Sequence, residues 1–164
     1  MKKMKKTILS TVLALMLSTG GALAASSCYT QAEAEAEQGL RIHSELMVIG
    51  LNCIKMRFTD GTNLYSEYNE FTKENIDIFA AYENQMLSYF KRRGDRDPEA
   101  SLNTLRTLLA NNIANSAARM KPDQFCNRYA GRIFKASTMD HDTLKKWAST
   151  IYPSHPVSNP ICEQ

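Results

Sequence analysis

The residues with the chemistry to hold a metal or drive a reaction are few: three histidines, His43, His141 and His155, four cysteines, and 17 Asp plus Glu. A haem c site needs two closely spaced cysteines followed by histidine, and a thioredoxin-like pair needs the same close spacing. Cys28, Cys53, Cys126 and Cys162 are too far apart for either. His43 and Met47 lie one helical turn apart, but the two axial ligands of a haem approach from opposite sides, so this pair cannot supply both. His43 also flanks an apolar stripe, the place of a boundary histidine. Di-iron bundles use Glu-x-x-His on paired helices, and no Glu here stands three residues before a His. Met139-Asp140-His141 offers a thioether and an imidazole to copper, yet Asp140 reads more simply as a helix cap.

Nucleophilic catalysis requires a Ser or Cys beside a positioned base. His155 lies in a proline-rich tail, and the cysteines are expected in disulfides. Two carboxylates would suffice for glycan hydrolysis, but no Glu stands in an obviously apolar setting that would raise its pKa. The expectation is a chain with no catalytic, cofactor or metal residues, acting as a non-catalytic binding, accessory or scaffold subunit for a protein partner in the cell envelope. The alternatives are a carboxylate-based envelope enzyme acting on peptidoglycan, and a small-molecule or metal carrier.

Two polar features border apolar faces. Asn112 and Asn115 are poor interior helix residues that call for a local hydrogen bond. They read as a structural network across the bundle or as the polar floor of a ligand cleft. Tyr68, Tyr82 and Tyr89 repeat at a seven-residue spacing or its double, and read as a core edge with hydroxyls in water or as a partner-binding face.

The elements that must position these groups begin after a leader. Met1 to Lys6 is a basic n-region, Ile8 to Leu17 an apolar run, and Ala22-Leu23-Ala24 the small-x-small pattern cut by signal peptidase. Cleavage after Ala24 leaves residues 25–164 as one domain, exported to the periplasm or secreted, and no later stretch is long and apolar enough to span a bilayer. Of 20 Lys plus Arg, the leader removes Lys2, Lys3, Lys5 and Lys6, so 16 remain against 17 acidic residues. A mature net charge of −1 gives no case for nucleic acid, and the Lys91-Arg92-Arg93 cluster with Arg96 reads as a solvated helix end. Lipidation at Cys28 is the lesser alternative, because Ala25 replaces the Leu-like residue such signals carry and three thiols would be left over.

The fold class is all-α: an up-and-down four-helix bundle with a short fifth helix, an extended Pro-rich tail and two disulfides. Helix one spans about Gln31 to Arg57 with two adjacent apolar stripes, which makes it central; its first third, rich in Ala and Glu, reads as more exposed. Asp60-Gly61 is a turn, and a second helix runs from about Asn63 to Arg93, stopped by Gly94. Asp97 and Pro98 open a third, which buries Leu102, Leu105, Leu109, Ile113, Ser116 and Met120. Pro122 starts the fourth, with Phe125, Tyr129, Ile133 and Ala136 inward. Asp140 caps the fifth, and Pro153, Pro156 and Pro160 keep the tail extended. In an up-and-down bundle Cys53 and Cys126 meet at one end. Cys28 and Cys53, about 35 Å apart along a helix, cannot pair, which leaves Cys28 with Cys162.

The stretch Glu45-Leu46-Met47-Val48-Ile49-Gly50-Leu51-Asn52-Cys53, with Tyr68-Asn69-x-Phe71, Leu109-Ala110-Asn111 and Cys126, resembles a group of small exported bacterial helical proteins of unknown function with a cysteine-ended first helix. The resemblance covers roughly residues 40–130. It implies a secreted helical domain with a Cys53–Cys126 link and brings no catalytic residues.

Overall fold

A computed structural model describes residues 27–163; the leader and its cleavage site lie outside them. Seven helices follow in order: α1 (Gln31–Asn52), α2 (Leu64–Glu74), α3 (Ile76–Arg93), α4 (Pro98–Arg119), α5 (Pro122–Tyr129), α6 (Gly131–Ala136) and α7 (His141–Ser149). Among the described residues the only β pairing is two isolated bridges. The all-α class with its two disulfides stands as expected.

Helix α1 is the central post and packs against all six others. Thr30 and Glu33 form a reciprocal capping box at its start, satisfying two of the N–H groups a helix end leaves over. Neighbours along α1 trace the path of the next two helices. Gly50 lies against Tyr65, His43 against Tyr68 and Phe79, Gly39 against Tyr82, and Glu33 against Arg92. Helices α2 and α3 therefore run back along α1 in the opposite direction, as an up-and-down arrangement demands.

The single helix expected over Asn63 to Arg93 is broken at Asn75. That residue is buried, and its side-chain amide donates to Phe71 O at 2.8 Å, doubling the backbone bond to the same carbonyl. Asn competes with the backbone for such acceptors, which interrupts a helix. A straight helix of that length would overrun α1, which spans about 33 Å; the bend lets both halves stay on it. The expected fourth helix is likewise two short pieces meeting at Ala130 and Gly131. Helix α1 also ends earlier than Arg57, with Cys53 as its C-cap. Asn52 donates to Val48 O at 2.8 Å, and Leu51 and Ile54 at this end are about half exposed at 49% and 46%.

The largest correction concerns the first third of α1. Glu33, Ala34, Ala36, Glu37 and Gln38 are buried, not exposed. The C-terminal tail covers Glu37 and Gln38, and Arg92 of α3 covers Glu33. Tyr29 N–H donates to Pro160 O and Cys162 N–H to Tyr29 O, both at 2.8 Å, so the segment before α1 and the tail lie side by side. Cys28–Cys162 closes that contact and Cys53–Cys126 ties the far end of α1 to α5. With its sulfur in a disulfide, Cys28 has no thiol to carry a lipid.

Gly39 marks the tightest helix approach. A Cβ there would sit 2.2 Å from the ring of buried Tyr82. Ala in place of Gly normally stabilises a helix by about 1 kcal/mol. Here Gly39→Ala must displace the ring, and overpacking costs about 1–3 kcal/mol. Thermal unfolding should show a net fall in Tm of about 5 °C; a rise would mean that the α1–α3 contact is looser than described.

Candidate functional site

Four charged residues on α1 recur every fourth position, Glu33, Glu37, Arg41 and Glu45, and so form one column down the helix. All are at most 9% exposed. A buried charge is tolerated only when paired and hydrogen-bonded, and each is. Glu33 meets Arg92, one Nη2 lying 2.7 Å from both carboxylate oxygens. Burial pushes the Glu33 carboxyl up, but the Arg92 contact and the Thr30 N–H outweigh it and hold it below the usual range.

Glu37 is the most fully committed. Its Oε1 accepts from Arg41 Nη2 at 3.1 Å and from the Ser158 N–H and hydroxyl, each at 2.9 Å. Its Oε2 accepts from the Tyr29 hydroxyl at 2.8 Å. Burial, and then the charge and acceptor of Glu37, drive the Tyr29 phenol far above its ordinary range. Arg41 donates further to Gln38 Oε1 and to Pro156 O, and Gln38 donates to His155 O at 2.6 Å. Glu45 pairs with Arg132 of α6.

A cleft of about 470 Å³ opens beside this column, between α4 and the tail. Leu105, Leu108, Leu109 and Ile113 form its apolar wall, Arg41, Glu45 and Arg132 its charged wall, and tail residues 154–158 its roof. Asn112 and Ser116 line it as well. A second cleft of about 330 Å³ on the other side of the tail shares Arg41, Glu45, Arg132 and His155 and adds Trp147 and Tyr152. The first volume lies within the range of small-molecule sites, about 300–1,000 Å³.

Of the residues singled out in the sequence, Asn112 lines the first cleft and Asn115 does not. Both are exposed, so no polar network crosses the bundle through them. Tyr68, Tyr82 and Tyr89 are buried at 6%, 8% and 0% exposure, which removes them as an open partner face. Their hydroxyls reach His43 Nε2, Glu35 and Ser27 O rather than bulk water. Burial raises the Tyr68 phenol; burial, then the Glu35 hydrogen bond, raises Tyr82. Asp140 caps α7 through the Thr143 N–H, and the exposed His141 ring reaches Glu74 O. Among the described residues no group of three or more His, Cys, Asp or Glu could hold a metal ion. The buried column was missed, although its four-residue spacing was there to be read; a charged column looks like a solvent face until the tail is laid over it.

The chain matches no protein-family model, no curated protein and no solved structure.

Two outcomes test the electrostatics. Glu37→Gln leaves Arg41 in a buried site without its carboxylate and should cost about 3 kcal/mol in chemical denaturation; a change near zero would show that the hub is dispensable. His43 stacks on Phe79 at 4.5 Å, and burial, then Arg106, lower its pKa to about 4. An unfolded imidazole titrates near 6.5, so acid protonates the unfolded chain first. The stabilisation by neutral His43 is complete above pH ~6.5 and is lost as pH falls toward ~4, by about 3 kcal/mol at most. His43→Phe should flatten the stability profile between those values, and an unchanged slope would assign it elsewhere.

Proposed function

We propose that this protein is exported to the periplasm or secreted after cleavage behind Ala24, and that it acts as a non-catalytic binding, accessory or scaffold subunit for a protein partner in the cell envelope. The observation that carries this reading is that Glu33 and Glu37 spend both carboxylate oxygens, and His43 its Nε2, on the fold. Glu33, Glu37 and Glu45 each face an arginine, and His43 faces a tyrosine hydroxyl inside an aromatic stack. A general acid or base needs an edge free for substrate and a pKa near the working pH; Glu37 has no such edge.

The leader fits export, two disulfides fit an oxidising compartment, and no helix among the described residues is long and apolar enough to cross a membrane. The resemblance of residues 40–130 to small exported helical proteins points the same way. For a partner, the apolar surface left open is most concentrated at the Cys53–Cys126 end, where Leu51 and Ile54 are exposed beside a groove floored by both cysteines and Met56. Exposed apolar groups clustered around a rigid crosslink are what association surfaces use.

Affinity capture from envelope extracts with oxidised residues 25–164 should recover one abundant partner. The Leu51→Asp, Ile54→Asp double variant, both positions being exposed, should fold normally and lose it. Recovery of nothing above background, or equal recovery by the double variant, would overturn the reading.

A further inference from the structure

Arg41 and Glu45 stand one helical turn apart on α1, the arrangement in which opposite charges ordinarily bond to each other. Here they do not. Each is turned to a different partner, Arg41 to Glu37 and Glu45 to Arg132. What remains is one donor nitrogen and one acceptor oxygen without a protein partner, on residues one helical turn apart. Arg41 uses Nε and Nη2 in its three hydrogen bonds, to Gln38, Glu37 and Pro156, and Nη1 in none. Glu45 uses Oε2 and leaves Oε1 without a partner. Neither free atom is sealed, since among the described residues the only buried polar side-chain atoms lacking a partner are Thr72 Oγ1 and Asn75 Oδ1. Both residues line the first cleft, whose opposite wall is leucine and isoleucine from α4.

We propose that this cleft binds an apolar α-amino acid as its zwitterion. The ligand carboxylate accepts from Arg41 Nη1, its ammonium donates to Glu45 Oε1, and its side chain lies on Leu105, Leu108 and Ile113. The two charged groups of an α-amino acid sit on adjacent carbons, which suits a donor and an acceptor one helical turn apart. Guanidinium and carboxylate give the charge-assisted bonds that are strongest, and the burial of the Arg41 and Glu45 side chains lets them count for more than in water. Leu108 is 57% exposed, so a ligand would cover apolar surface that is now wet. This site goes beyond the partner reading and is tested separately from it: a chain that captures its partner but takes up no amino acid overturns this inference alone.

The test is calorimetric titration of the oxidised protein, residues 25–164, with L-leucine. The expected result is one site with Kd below about 1 mM, undetectable with glycine, which lacks the side chain. N-acetyl-leucine, without the ammonium, and leucinamide, without the carboxylate, should each bind at least ~tenfold more weakly. Glu45→Gln keeps the shape of the side chain. It should weaken leucine by ~tenfold and leave the weak N-acetyl-leucine binding unchanged, a split that a merely structural loss would not produce. Leu108→Asp, at an exposed position, should fold and lose leucine. No saturable leucine binding, equal binding of leucine and N-acetyl-leucine, or a Glu45→Gln variant indistinguishable from the parent would each overturn the proposal.

Discussion

One carboxylate joins the three parts of the chain that the helices alone would leave independent. Glu37, with no exposed surface, accepts hydrogen bonds from Tyr29 before α1, from Arg41 one turn on, and from Ser158 in the tail. Stripped of these donors it would be an ion in an apolar interior, at a cost far beyond the margin of a small domain. The tail is therefore a required part of the packing. Without it the Glu37–Arg41 pair would face water, while Glu33 and Glu45 would keep their partners on α3 and α6.

The same tail makes the clefts. Residues 154–158 cross above α1, leaving a hollow on each side, one against α4 and one against α7. Because Gln38 and Arg41 hold this strap by its carbonyl oxygens at His155 and Pro156, the cleft walls depend on backbone positions more than on tail side chains. Aromatic packing secures the other flank of α1. His43 lies against Phe79 and Tyr68, and Tyr29 meets Tyr89 edge-on with centroids 4.6 Å apart. That geometry suits ring quadrupoles.

The pattern along the chain carried the helices well where apolar spacing was regular. Leu102, Leu105, Leu109 and Ile113 face inward on α4, Asp97 and Asp140 cap as their types suggest, and Gly94 stops α3 at φ 87°. The disulfide pairs followed from direction and length alone. The failures share a cause in long-range contact. Asn75 looked like any polar residue within a helix, and only its burial turns its side chain onto the Phe71 carbonyl. The Ala-Glu alternation looked wet because its cover comes from distant segments, Glu33 meeting Arg92 across 59 positions and Glu37 meeting Ser158 across 121. The tyrosines look amphipathic in isolation, and their hydroxyls are satisfied by groups on other segments. The cleft was half legible: Asn112 marked it, while Arg41, Glu45 and Arg132 gave no sign of converging.

The two crosslinks are nested, the loop closed by Cys53 and Cys126 lying inside the one closed by Cys28 and Cys162. Pairing the cysteines as neighbours in sequence, Cys28 with Cys53 and Cys126 with Cys162, would make the wrong bonds. Helix α1 forbids it. Once its 22 residues have coiled, they act as a rigid spacer of about 33 Å between the first two thiols. Cys53 is thereby kept out of reach of Cys28, and the geometry of a single helix dictates which pairs can close.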